Sequence, residues 1–460
     1  MGNFASWRVA KAQIMNIPFS DTENRPPSTG SKRLRRKSIT ALCVIFFLVI
    51  VFASCVRISL HINVPGVVRD SQQWALTDFR DAVYYPTVSF LNGENPYDRH
   101  THLARYPVRI RFAPFTPLFL LVHVPFGLLS HTSSQLSYFV LTIALTLVLA
   151  WLSLWMCGRR PEVASVTGVA ALVLASRPGH WNLMLGQTTL EFVFPVYIAL
   201  YSNWRSTWLT GLSLAGATMK PTFGLPLTVL MIFQRRYKPV VIGVCVAVLA
   251  TLVPTVVLVH SAGDITTLAA TYLDSIRVFE EDSPSSSVVS PSRIDAVALV
   301  GRLTGRPPGP VMRLILFASA LCLAGATIRR VRACSEDRAA DLFCISVASI
   351  TILVASYQQT YSALLLVLPL TTLVLGCWAP SEFKAGSAVR RALIVLLSVP
   401  FANYLVAPRF LNFLDQGSWG WTLLTSMNGI ALLLAFFVYV WVAFRRPRAV
   451  AAHSIREVAK

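Results

Sequence analysis

Apolar runs close to the thickness of a bilayer recur along nearly the whole chain. They lie at roughly 39–58, 113–130, 134–157, 163–176, 188–202, 206–219, 221–234, 239–260, 311–328, 341–356, 361–377, 390–406 and 421–443. A membrane span needs about 20 apolar residues. Composition agrees: 54% of residues are hydrophobic and 13% are charged, against roughly 25% charged in a soluble domain. The chain therefore reads as an all-α polytopic membrane protein. Disorder, collagen and a small disulfide scaffold are excluded, and a soluble enzyme is disfavoured. The net charge of +20 does not point to nucleic acid, because Lys and Arg cluster in short segments between the apolar runs, as the positive-inside rule describes. The eight cysteines show no CxxC pair. Most, such as Cys43, Cys245, Cys322 and Cys344, lie within apolar runs and read as small buried hydrophobes.

Residues 1–38 read as a disordered basic cytoplasmic tail, 39–444 as a single transmembrane domain and 445–460 as a second cytoplasmic tail. The polar stretches 59–133 and 261–310 are its two large external segments. If the run at 113–130 crossed, the basic clusters at Arg159-Arg160, Arg235-Arg236, Arg329-Arg330, Arg390-Arg391 and Arg445-Arg446 would all fall outside. If it does not cross, all fall inside, as the rule requires. That run, with Pro114, Pro117 and Pro125, is thus expected to be juxtamembrane or re-entrant. About 12 spans follow, with both termini in the cytoplasm.

Chemistry is expected in the external segments. A helix over 78–91 would put Asp78 and Asp81 on one face, with Gly93 ending it and Asn95-Pro96 as a turn. A carboxylate beside another has a raised pKa, which suits a general base. The alternative is that Asp78 only caps the helix after Thr77. Arg105, Arg109, Arg111 and Lys220 place positive charge on the external side, where it is sparse. A phosphate headgroup is their natural partner. Snorkelling explains Lys220 equally, and surface ion pairs explain the arginines. Gln187 and Glu191, after Gly186, could bind sugar hydroxyls or act as interhelical glue. Asp98, His100 and His102, with Asp81, have a spacing that a metal could use, but no metal is expected. His61, His123, His131, His180 and His260 read as structural or interfacial. No Walker A, GxSxG, HExxH or GxGxxG element opening a helix is present.

Asp78-Phe79, Tyr84-Tyr85, Gly93 and Pro96-Tyr97-Asp98 resemble the first external loop of glycosyltransferase family 87. Members of this family are polyprenol-phosphate-mannose-dependent mannosyltransferase-like proteins of the GT-C superfamily. Pro114 through Pro125 resembles the proline-containing segment that follows. Gly186-Gln187 resembles the family's Gly-Gln at a span start, and Met219-Lys220-Pro221 its Lys-Pro element. The resemblance runs over about 75–320 and more weakly to 375. Two stretches depart from the family pattern: Pro291-Ser292-Arg293 and Ala355-Ser356-Tyr357-Gln358-Gln359.

The resemblance implies a GT-C fold and transfer of a hexose, mannose first, from a polyprenyl phosphate to an extracytoplasmic lipid or glycan acceptor at the cell membrane. Asp78 would be the base, with Asp81 tuning or replacing it. Lys220, Arg105, Arg109 and Arg111 would hold the donor phosphate. Tyr84, Tyr97, Gln187, Glu191 and Gln358 would bind sugar or acceptor. No cofactor is implied, since the lipid-phosphate sugar is a substrate. Two other readings stay open: a transporter or flippase of a lipid-linked or anionic solute, and an envelope polysaccharide polymerase or ligase. No inverted repeat supports the first of these.

Overall fold

A computed structural model describes residues 30–62, 75–109, 112–202, 205–281, 285–383 and 385–445. Among them the regular structure is helical, and only isolated β-bridges occur. The helices used below are α1 (Gly30–His61), α2 (Thr77–Phe79, Arg80–Tyr84 and Tyr85–Leu91, contiguous), α3 (Arg99–Arg105), α4 (Pro117–Gly127), α5 (His131–Met156), α6 (Val163–Ala175), α7 (Arg177–Leu185), α8 (Thr189–Ser202), α9 (Thr207–Thr218) and α10 (Pro221–Phe233). They continue with α11 (Tyr237–Ala262), α12 (Ile265–Glu281), α13 (Ala296–Thr304), α14 (Pro310–Cys334), α15 (Arg338–Ala355), α16 (Thr360–Leu366 as a 3-10 turn, then Val367–Leu375), α17 (Ser387–Ala402) and α18 (Trp419–Phe444).

Seven helical segments are long and apolar enough to cross a membrane: 36–61, 131–156, 237–262, 310–334, 338–355, 387–406 and 419–444. The protein is a multi-pass helical membrane protein. Of the roughly 12 runs expected to span, these seven are single helices of sufficient length among the described residues. The other runs fold as α6, α8, α9, α10 and α16, each interrupted or stopped early. A helix of 13 residues, such as α6 or α10, reaches about 20 Å, short of a hydrocarbon core of about 30 Å. Proline is one cause: Pro178 follows the break after α6, and Pro221 opens α10 immediately after α9. The segment at 113–130 contains α4, whose 11 residues span about 17 Å, too little to cross.

The amino-terminal boundary also moves. Helix α1 starts at Gly30 and carries the basic run Lys32–Lys37, which the sequence reading places in a disordered tail. Continuing a helix from an apolar span is easier than nucleating one, and Arg36 pairs with Glu162 at the start of α6. Residues 1–29 and 446–460 lie outside the described residues.

Helix α15 forms the centre of the bundle and is buried along most of its length, with Leu342, Phe343, Val347, Ile350 and Leu353 fully enclosed. By contrast α1 and α11 turn many apolar side chains outward, including Leu42, Phe52, Val253 and Val256. A large exposed apolar surface on spans this hydrophobic is what lipid contact requires.

Candidate active site

Helix α2 begins as the sequence predicts and carries an unpredicted irregularity. Residues 80–84 form a π-helical turn. Pro86 supplies the cause: it has no N–H, and its ring crowds the carbonyl four residues back, at Ala82, so the turn widens. Gly93, at φ 74°, follows the helix end, and Asp98 caps α3 by accepting from the amides of His100 and Thr101.

The start of α2 is held from two sides. The Leu76 amide donates to the Met184 carbonyl at 2.7 Å, and that of Ala75 to His61 at 2.9 Å. Phe79 is fully buried and stacks on Tyr138 with centroids 4.6 Å apart. Gly186 makes this approach possible. It ends α7 at φ 68°, and a Cβ there would stand 2.6 Å from the Cβ of Phe79. Gln187, the next residue, hydrogen-bonds the Asp78 carboxylate through Nε2. The capping alternative for Asp78 is excluded, since Leu76 occupies the N-cap and no side chain caps this end.

Two further residues complete the group. The Tyr361 hydroxyl reaches the Gln187 side chain, and its ring lies 5.6 Å from Lys220 Nζ. Phe223 and Phe192 also face Lys220, at 5.0 and 5.7 Å. These rings hold a cation by its charge without neutralising it. Among the described residues Lys220 closes no ion pair. It stands in the break between α9 and α10, a short apolar hairpin made tight by Gly224, whose Cβ would meet the Thr218 backbone at 2.5 Å. Tyr361 is placed by residues 292–294. The Thr360 amide donates to Ser292 at 2.8 Å and that of Ile294 to Gln358 at 3.0 Å. A buried Arg293–Asp295 pair at 2.7 Å locks that segment.

Burial pushes the Asp78 carboxyl up to about 7, and the charge of Asp81 adds to this; the cations Arg80 and Lys220 oppose it. A carboxylate poised near neutrality, hydrogen-bonded on one oxygen and facing a lysine, can accept a proton at physiological pH. The lysine offers a charge-assisted donor to an anion in the same space.

The other expected site residues divide. Asp81 is sealed off: Arg80 Nε donates to it at 2.6 Å and the Arg109 amide at 2.9 Å, and it is fully buried. Its charge helps to hold the Asp78 carboxyl up. Arg109 contributes its backbone to that contact, with its side chain exposed. Arg105 forms a surface pair with Glu94 at 2.6 Å. Glu191 is not brought to Asp78; its oxygens take Tyr138 Oη at 2.6 Å and His123 Nε2 at 2.9 Å. Tyr97 is buried and donates to the Phe115 carbonyl at 2.7 Å, and Tyr84 donates to Leu129 at 3.1 Å. Gln358 is buried beneath α10, its Nε2 donating to the Thr222 carbonyl at 3.1 Å. Arg111 lies outside the described residues. Among those residues no group of three or more His, Cys, Asp or Glu side chains could hold a metal. Sequence reasoning missed Tyr361, which follows the divergent stretch Ala355–Gln359; only the turn at 360–366 shows that it comes near Asp78.

The fold is that of a multi-pass helical membrane protein in which a carboxylate and a lysine come together near helix breaks. Residues 113–356 match the family model of glycosyltransferase family 87. This is more than half of the chain, which therefore belongs to that family and is a membrane glycosyltransferase. The matched region includes Gln187 and Lys220, while Asp78 and Tyr361 join them through the fold. No curated protein and no solved structure matches the chain.

Proposed function

We propose that the chain moves a hexose, mannose first, from a polyprenyl phosphate to an extracytoplasmic lipid or glycan acceptor, in a GT-C-like architecture at the cell membrane. The observation that carries this reading is the meeting of Asp78, Gln187, Tyr361 and Lys220, drawn from four separate parts of the chain. The donor enters from the bilayer with its phosphate toward Lys220. Asp78 takes the proton of an acceptor hydroxyl. That oxygen attacks the anomeric carbon with inversion, the bond from that carbon to the phosphate oxygen breaks, and the lipid phosphate leaves with the bonding pair. Lys220 stabilises the charge that develops on it. Gln187 orients the Asp78 carboxylate, and Tyr361 orients Gln187.

No nucleotide takes part, and neither a cofactor nor a divalent metal is part of the proposal. The donor class is tested by supplying purified protein with radiolabelled polyprenyl-phosphate mannose or with a sugar linked through polyprenyl pyrophosphate. Release of polyprenyl phosphate from the first alone supports the reading. Consumption of the pyrophosphate donor alone moves the chain to polymerase or ligase chemistry. Movement of either lipid across the bilayer without bond cleavage marks a flippase.

A further inference from the structure

One turn beyond Asp78, α2 carries polar atoms that the reaction above does not use. Arg80 is buried; its Nε is taken by Asp81, but its Nη2 is enclosed with no hydrogen-bond partner among the described residues. His131, also buried, opens α5, and neither of its ring nitrogens has a partner there. A neutral imidazole has one donor and one acceptor, so both kinds of group are stranded beside a guanidinium donor. Buried polar groups are nearly always satisfied, and each exception calls for a cause.

The surroundings are aromatic. Tyr85 lies parallel to His131, with centroids 5.6 Å apart and planes 19° apart, and Tyr84 meets the imidazole edge-on at 4.9 Å. Tyr106 flanks Tyr85 at 5.6 Å. Tyr85 and Tyr106 are half-buried, and the neighbouring Arg105 is exposed, so the cluster reaches toward the surface. The charge of Arg80 acts on both the His131 ring and the Tyr85 hydroxyl, which places the three together.

We propose that this cluster is the acceptor subsite and that it takes a sugar ring. The apolar face of a pyranose packs on Tyr85 and Tyr106, and its hydroxyls pair with Arg80 Nη2 and the two His131 nitrogens. The chemistry favours a sugar over a phosphate. A hydroxyl both donates and accepts and so can satisfy an imidazole at either nitrogen, whereas a phosphate dianion only accepts. The position also fits. Residues 80–85 lie within about 10 Å of Asp78 along the helix axis, which puts the cluster close to the base. This inference rests on the transferase reading above and adds the class of its second substrate.

The test is equilibrium binding of octyl α-mannoside and octyl β-glucoside to the full chain in lipid nanodiscs, without donor, so that it does not depend on turnover. Saturable binding of at least one glycoside is expected, weakened at least tenfold in Tyr85→Ala and in His131→Phe. His131→Gln keeps a donor and an acceptor and should stay within about threefold of wild type, as a purely structural role for the ring would not require. Thermal midpoints identify any variant that does not fold, and His131→Phe, which keeps the ring, decides the matter if Tyr85→Ala fails. Absence of saturable binding by wild type, or unchanged affinity in folded His131→Phe, overturns the subsite. If binding behaves as expected while wild type shows no transfer from any lipid-phosphate donor, the donor reading fails and the subsite stands.

Discussion

Asp78 gathers most of the chemistry into one carboxyl group. Its ionisation is held up to about 7 chiefly by burial, so transfer should rise with pH through that region and level off above it. Asp78→Asn is expected to lower transfer by about 10²–10⁴-fold, the usual contribution of a general base, with expression intact. Stability should move the other way. A carboxyl whose folded pKa lies above its unfolded value near 3.9 binds its proton more tightly in the folded state. Its ionisation therefore subtracts stability as pH rises from about 4 through 7. Asp78→Asn should accordingly raise the thermal midpoint at pH 8, with the difference vanishing at pH 4. A midpoint lowered equally at both values would contradict this assignment. Lys220→Met should lower kcat by about 10²–10³-fold without loss of folding, because its neighbours are rings and no carboxylate loses an ion-pair partner. Gln187 and Lys220 could be singled out in the sequence because each stands at the edge of an apolar run, and Asp78 because of its spacing from Asp81 in the polar stretch 59–133. Glu191, Arg105 and Tyr97 looked similar but are taken by His123 and Tyr138, by Glu94, and by the Phe115 carbonyl. No local pattern announces partners of that kind.

At the level of elements, the site depends on interrupted helices. The glycine between α7 and α8 lets Phe79 and Gln187 pass at close range. Gly186→Ala places a Cβ against Phe79 in a left-handed backbone conformation, with strain of about 1–3 kcal/mol. It should lower the thermal midpoint and, by displacing Gln187, reduce transfer more than a surface glycine such as Gly305→Ala does. The π turn over 80–84 is a second device. It sets the rotation of Asp78 relative to Tyr85 on the same helix, and Pro86 forces it. Pro86→Ala should relax the turn and reduce transfer at least tenfold with helical content unchanged; full activity would show that the turn has no part in placing Asp78. The helix over 78–91, Gly93 and the break at Met219-Lys220-Pro221 were readable from turn chemistry. The π turn was not, because a single proline near a helix start ordinarily marks its first turn.

For the whole molecule, the class was legible from hydropathy alone, while the way the apolar runs divide into helices was not. Hydropathy marks apolar runs, but α6, α8, α9 and α10 become short broken helices whose backbone must be covered by protein. Such segments bring polar residues into the helical bundle, and the break carrying Lys220 is one of them. The positive-inside reading puts Arg99 outside and Lys238 inside. In a cysteine-free background, Arg99→Cys should react with a membrane-impermeant maleimide in intact cells, and Lys238→Cys only after permeabilisation. The reverse pattern would place Asp78 on the cytoplasmic side and remove an extracytoplasmic acceptor.

The most direct measurement is transfer from radiolabelled polyprenyl-phosphate mannose to a membrane-lipid extract. It would use purified protein in lipid, with wild type and Asp78→Asn in parallel from pH 5 to 9. Label should enter a new product with wild type alone, along a curve rising through about pH 7. Transfer by Asp78→Asn at the wild-type rate, or the same curve in both proteins, would contradict the assignment of Asp78 as the base.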